Sequence, residues 1–243
     1  MSRSYWNSEY YSQPTEKQLK AKVEETNKKA KKKGKTLEPV IIEGKKIVNS
    51  WWGKAWCENL ERYADYASRL PRGKRYVKSG AVVDLKIGEG VVLAKVQGTR
   101  KTPYIVEVHI DPVDEDKMQT LIDQCTKKIE NLEQLVNGTF PEELKELFIS
   151  QNGLFPNPRE ISFSCSCPDW AVLCKHVAAV LYGIGSRFDQ DPLLFFELRG
   201  IDVNRFIDTT IENRIESMLE NVDKPSSRII ESNDYADLFG LKL

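Results

Sequence analysis

The chain is poor in histidine and cysteine, the side chains most used to bind transition metals. Its 243 residues include two histidines and five cysteines. No apolar run approaches the ~20 residues that span a bilayer, so no membrane association is expected. The first stretch, MSRSYWNSEYYSQPTEKQ, lacks the apolar core of a secretory signal. A cytoplasmic, reducing compartment is the resulting expectation, where cysteines serve more often as ligands or buried thiols than as disulfides. A glycine loop with a phosphate-binding lysine is also missing, since Gly88-Glu89-Gly90 is only a turn. With no evident acid–base pair, the chain is expected not to be an enzyme.

Net charge is absent too, but the balance is uneven. Residues 1–101 hold 23 Lys/Arg against 11 Asp/Glu, and residues 102–243 hold 13 against 25. A basic front half suits a polyanion partner. Alternatively, the two halves face and neutralise each other.

What is present divides the chain into segments. Residues 1–45 read as a basic flexible arm: Tyr5, Trp6, Tyr10 and Tyr11, then the tract KQLKAKVEETNKKAKKKGK, with little to bury. Residues 46–150 read as an α+β unit. Ser50 can cap a helix through WWGKAWCENLERYADYA, with Trp52, Trp56, Leu60, Tyr63 and Ala67 on its buried face. From Ala81 the period changes to two. AVVDLKI, VVLAKVQ and YIVEVHI predict a three-stranded antiparallel meander, with His109 on its exposed face. Asp111-Pro112 then opens a helix whose stripe runs Met118, Leu121, Ile122, Cys125, Ile129, Leu132, Val136, ending at Asn137-Gly138. Cys57 and Cys125 fall on apolar stripes and read as buried thiols. A short helix is expected around residues 141–148. Residues 191–222 predict two further helices, the second capped by Asp202 with Phe206, Ile207, Ile211, Ile215, Met218 and Val222 inward. Residues 223–243 read as a flexible tail whose NDYADLF could serve a partner.

The remaining cysteines converge in residues 151–190. CSCPDWAVLCKH places Cys165, Cys167, Cys174 and His176 within twelve residues. In an extended segment, residues two apart point the same way, so ISFSCSC can aim two sulfurs at one point. Pro168 and Asp169 break the strand. Cys174 and His176 precede the apolar stripe of HVAAVLYGIGSRF, where a helix start can turn both side chains back. Three thiolates and one imidazole at tetrahedral reach describe a structural zinc site. Zn2+ is therefore the expected cofactor, and Lys175 can offset its residual negative charge. A Cys-x-Cys pair makes poor disulfide geometry, a Cys–His nucleophile needs no further cysteines, and four ligands leave no position for a reactive water. Trp170, between the ligand pairs, is expected to pack on the site as a lid.

CSCPDWAVLCKHVAAVLY resembles the SWIM zinc finger, whose pattern is Cys-x-Cys, a variable gap, then Cys-x-His. The resemblance implies a β-hairpin followed by a helix, with Cys165, Cys167, Cys174 and His176 as ligands. SWWGKAWCENLE, RLPRGKRYVKSG, VQGTRKTPY and DPLLFFELRG are similar to segments of bacterial SWIM zinc finger proteins, over roughly residues 1–200. Such proteins are commonly encoded beside Swi/Snf-type helicase-like ATPases, so the resemblance implies that partner, and binding to DNA or to proteins. The fold expected is thus α+β: an antiparallel β-meander with flanking helices, a ββα SWIM finger and a C-terminal helical segment.

Nucleic acid, DNA before RNA, is expected to touch two basic loops beside the sheet. RLPRGKRYVK supplies Arg69, Arg72, Lys74, Arg75 and Lys78, with Tyr76 among them, and QGTRKTPY supplies Arg100 and Lys101. Gly73 and Gly98 would let backbone approach a phosphate, and tyrosine can stack on bases. Lys175 would extend this contact to the finger. The alternative is a pure protein–protein adaptor with a structural zinc finger.

Overall fold

The computed structural model describes residues 14–220, apart from 63, 66, 138, 140, 151 and 152. The expected tail at 223–243, the aromatics Tyr5, Trp6, Tyr10 and Tyr11, and Tyr63, Gly138 and Val222 lie outside these residues.

The two-residue period produces β1 (Val82–Gly88), β2 (Val91–Val96) and β3 (Tyr104–Ile110). A fourth strand, β4 (Ile161–Cys165), joins them in the order β1-β2-β3-β4, antiparallel throughout. Leu85, Val92, Ala94, Val106 and Val108 fill the inner face, while Leu93, Ile105 and His109 stand outward. Gly90, at φ 67°, closes the tight turn from β1 to β2. The edge of β1 is covered by the chain itself: Leu85 N–H donates to the Glu38 carbonyl at 2.9 Å, and Val40 N–H to the Val82 carbonyl at 3.0 Å.

Against the inner face lies α7 (Lys175–Gln190). Its sequence is apolar nearly all round, the pattern of a helix buried on several sides. Every residue from His176 to Ser186 is buried. It packs on α2 (Trp51–Glu61) and α3 (Arg69–Lys78). Ser50 caps α2, its hydroxyl accepting Gly53 N–H at 3.0 Å. Trp56 is fully buried, donates Nε1–H to the Leu181 carbonyl at 3.1 Å, and meets Phe155 and Phe188 edge-on at 5.9 and 5.0 Å. Phe195 of α8 (Leu194–Leu198) continues that cluster. Each such side chain contributes about 1.5–3 kcal/mol on burial. The described residues of the segments 46–150, 151–190 and 191–220 therefore share one core.

Between β3 and β4 run α4 (Glu115–Lys127), α5 (Ile129–Val136) and, after a 3-10 turn at Glu142–Leu144, α6 (Lys145–Ile149). α4 starts later than expected. Asp114, not Asp111, is its cap, accepting Lys117 N–H at 2.9 Å. Lys128, at φ −137° and ψ 96°, breaks the single helix expected over this stretch. Arg199, fully buried, holds the preceding loop: it donates to the Asp111 carbonyl at 2.6 Å and lies 3.6 Å from Glu160.

Four further expectations are corrected. α2 ends at Glu61, so Ala67 stands beyond it and exposed. RLPRGKRYVK is not a loop but α3; Pro71 sits in its first turn, where a missing N–H costs nothing. The lysine-rich tract forms α1 (Glu16–Lys32), with a Thr15–Gln18 capping box, and it is docked, because Leu19 is fully buried. α9 (Val203–Leu219), capped by Asp202, buries Phe206 and half-buries Ile207. Ile211, Ile215 and Met218 are instead 42–57% exposed, since α4 covers only part of the helix.

Candidate metal centre

β4 carries Cys165 at its last position, opposite Val106 of β3. The chain then stays extended for one more step. Ser166 N–H donates to the Ile105 carbonyl at 3.0 Å, and Ile105 N–H donates to Ser166 Oγ at 2.9 Å. This fixes Cys167 on the same side as Cys165. After the turn at Pro168, the gap between ligand pairs is tied down from outside. Asp65 accepts Val172 N–H at 2.9 Å and Leu173 N–H at 3.3 Å. Asp169 accepts Ala171 N–H at 3.3 Å and pairs with Arg69 at 3.1 Å. Cys174 is the N-cap residue of α7, and His176 falls in the first turn.

The four ligand atoms lie within 4.8 Å of one another. Cys165 Sγ is 3.8 Å from His176 Nδ1. A tetrahedron with metal–sulfur bonds of about 2.3 Å has corners about 3.8 Å apart, so the spacing suits a single ion. All five cysteines are free thiols. The sulfurs stand at the N-terminus of α7, whose dipole favours negative charge.

Protonation fits ligation. Burial pulls His176 below the ordinary histidine range, against an opposing hydrogen bond with Cys167, a direction that favours the neutral ring a ligand must present. Hydrogen bonds from the Cys165 and Cys174 thiols hold Cys167 far below the usual thiol range. The same contacts, with burial, push Cys165 up. Ligation needs the thiols deprotonated, so metal binding releases protons from this cluster. Away from the site, Cys57 and Cys125 are both pushed up to about 12, chiefly by burial, and are inert.

His176 is held by rings. It stacks on Tyr104 at 4.2 Å and 25°, and meets Tyr76 edge-on at 5.4 Å. The base-stacking role expected of Tyr76 is excluded by its burial. Both glycines expected to admit phosphates do other work. A Cβ at Gly98 would stand 2.6 Å from the Tyr104 ring and 3.3 Å from His176 Nε2; one at Gly73 would stand 2.5 Å from Ala178 Cβ on α7. They permit close packing around the site.

The basic residues separate into two groups. Arg69 is bound to Asp169, Lys74 to Glu61 at 2.8 Å, and Lys78 to the Lys45 carbonyl at 2.8 Å. Arg100 lies 4.1 Å over the Tyr104 ring. Arg72 and Arg75 bear on Tyr76 electrostatically, and Lys175 adjoins His176. Lys101 is exposed. Trp170 is no lid, because it is 76% exposed, and Val172 beside it is 66% exposed. The Asp65 clamp and the Tyr104–Gly98 seat escaped sequence reasoning. Asp65 lies 107 and 108 residues from the amides it binds and carries no local signal. Gly98 offered one, misread as freedom for a ligand. Among the described residues no helix is long and apolar enough to cross a membrane.

Residues 162–183 match the profile of the SWIM zinc finger. The chain is 34% identical over 156 residues to uncharacterized protein Rv2102 of Mycobacterium tuberculosis, an alignment covering 63% of this chain and 56% of that protein. It thus spans little more than half the length of this curated relative. No solved structure matches the chain.

Proposed function

We propose that this chain, which carries a SWIM zinc finger over residues 162–183, is a non-enzymatic, zinc-stabilised accessory that binds nucleic acid beside a Swi/Snf-type helicase-like ATPase. Zinc is the metal that a closed set of three thiolates and one imidazole suits best. Its task is structural, since four protein ligands leave no position for a reactive water.

One observation carries the nucleic-acid reading. Arg100 lies over the Tyr104 ring that stacks on His176, Arg72 and Arg75 act electrostatically on Tyr76, and Lys175 is the neighbour of His176 in the first turn of α7. The metal thereby organises the surface that would meet phosphate. Of the ion pairs between described residues, Arg69–Asp169 alone joins the acidic half to the basic one.

Electrophoretic mobility shift with short duplex and single-stranded DNA tests this. Binding should weaken steeply with salt, by about 0.7–0.9 log units per log unit for each phosphate neutralised. Lys175→Glu should weaken it further while zinc content holds. Binding indifferent to moderate salt would refute the reading. Exposed Trp170 and Val172 favour the second reading, a protein adaptor, because an exposed aromatic on a braced loop suits a protein contact. Pull-down with the ATPase, unaffected by nuclease and lost in Trp170→Ala, would support that alternative.

A further inference from the structure

We propose that the exposed C-terminal half of α1, centred on Lys28, Lys31, Lys32 and Lys33, is the principal phosphate-binding element of this protein. The inference rests on the nucleic-acid reading above and moves its main contact from α3 to α1.

The sequence KKAKKKGK, residues 28–35, holds six lysines and no acid. The three acids of α1, Glu16, Glu24 and Glu25, all lie in its first ten residues. Glu16 is bound to Lys20, and Glu25 to Lys29. Lys28, Lys31, Lys32 and Lys33 form no ion pair with any described residue, and all four are exposed. Lysines three and four apart on a helix repel one another. The helix C-terminus relieves part of that repulsion, but its field fades within a turn. A polyanion laid along this face would relieve the rest.

A lysine tract on a loose tail would be an ordinary solvated segment. This one is fixed. Leu19 is fully buried and Val23 packs on the core. Thr26 donates to Gln97 at 2.7 Å, and Lys22 donates to the Thr99 carbonyl. Gln97, itself buried, donates to the Arg100 carbonyl at 2.8 Å. Arg100 covers Tyr104, and Tyr104 covers His176. α1, the β2–β3 loop and the metal centre are therefore joined by successive contacts, and the loop that carries Arg100 and Lys101 is bound by Lys22 and Thr26 of the lysine helix. By contrast, Arg69, Lys74 and Lys78 of α3 are bound to partners within the chain.

The test compares K28Q/K31Q/K32Q/K33Q with R72Q/R75Q, in the full chain loaded with zinc. The probes are a fluorescein-labelled 20-base-pair duplex and a 20-nucleotide single strand. Glutamine keeps helix propensity, and circular dichroism with zinc content verifies the fold. The α1 variant should lose at least tenfold in affinity at low salt. Its slope of log affinity against log salt should fall by about 2 or more, at ~0.9 per duplex phosphate released. R72Q/R75Q should lose less. If the α1 variant does not fold, lysine acetylation of the wild type with and without duplex replaces it, and Lys28–Lys33 should be protected.

Wild type that binds neither probe would sink the nucleic-acid reading and this inference with it. Wild type that binds, with the α1 variant or the acetylation pattern unchanged, would sink this inference alone. Polyglutamate that competes as well as duplex would assign the face to an acidic protein and also overturn it.

Discussion

The Tyr104 ring lies flat against the His176 imidazole, centroids 4.2 Å apart, so a side chain from β3 sets the orientation of a ligand on α7. The phenol ring, not its hydroxyl, makes that contact. Tyr104→Phe should keep metal retention near wild type. Tyr104→Ala should destabilise by about 3–5 kcal/mol, as loss of a buried ring does, and should quicken release of zinc to a chromophoric chelator. Equal release rates in the two variants would contradict this seat.

Gly98 is fixed by the same pair. Its Cβ position falls 2.6 Å from the Tyr104 ring. Gly98→Ala should cost about 1–3 kcal/mol through overpacking and shift the cobalt-loaded absorption spectrum, which reports ligand geometry. An unaltered melting temperature would mean the ring moves freely aside.

Asp65 clamps the loop between the ligand pairs through two amides. Asp65→Ala leaves the N–H of buried Leu173 without its acceptor, at a cost of about 1–3 kcal/mol. Zinc release should accelerate, and Asp65→Asn should restore part of the loss. Stopped-flow chelator competition measures both.

Glu160 faces fully buried Arg199. Burial raises its pKa, but the Lys117 hydrogen bond, Asn157 N–H and Arg199 overcome that and hold it below the ordinary glutamate range. Asp84 is likewise depressed, burial being outweighed by Lys95 and Glu38 N–H. A carboxylate whose folded pKa is lowered contributes stability above its unfolded value and loses it as pH falls through the folded one. Stability should therefore decline below about pH 4. Glu160→Gln should cost about 3 kcal/mol by removing the carboxylate that faces buried Arg199 and should flatten that acid limb. Urea melts from pH 3 to 7 would show it.

The ligand set and the strand periods were legible because both are local. Cys165 to His176 spans twelve residues, and alternation from Val82 to Ile110 needs no distant partner. Ser50 and Asp202 could be read as caps for the same reason. What escaped reading depends on who faces whom. Gly73 looked like a place for a ligand until Ala178 was found against it. Arg69 looked available until Asp169 met it. Ile211 and Ile215 carry a helical stripe, yet no described element covers them, because periodicity says which side is apolar and not whether anything lies there.

β4 belongs to two things at once: it is the outer strand of the sheet and the first donor of the metal cluster. The finger is consequently not a bead that can be cut out or grafted elsewhere. A fragment beginning at residue 151 would keep all four ligands yet lose β3, Tyr104 and the Asp65 clamp that bring them to a point. Zinc should therefore report on the whole fold, and emptying the site should loosen the meander along with the finger.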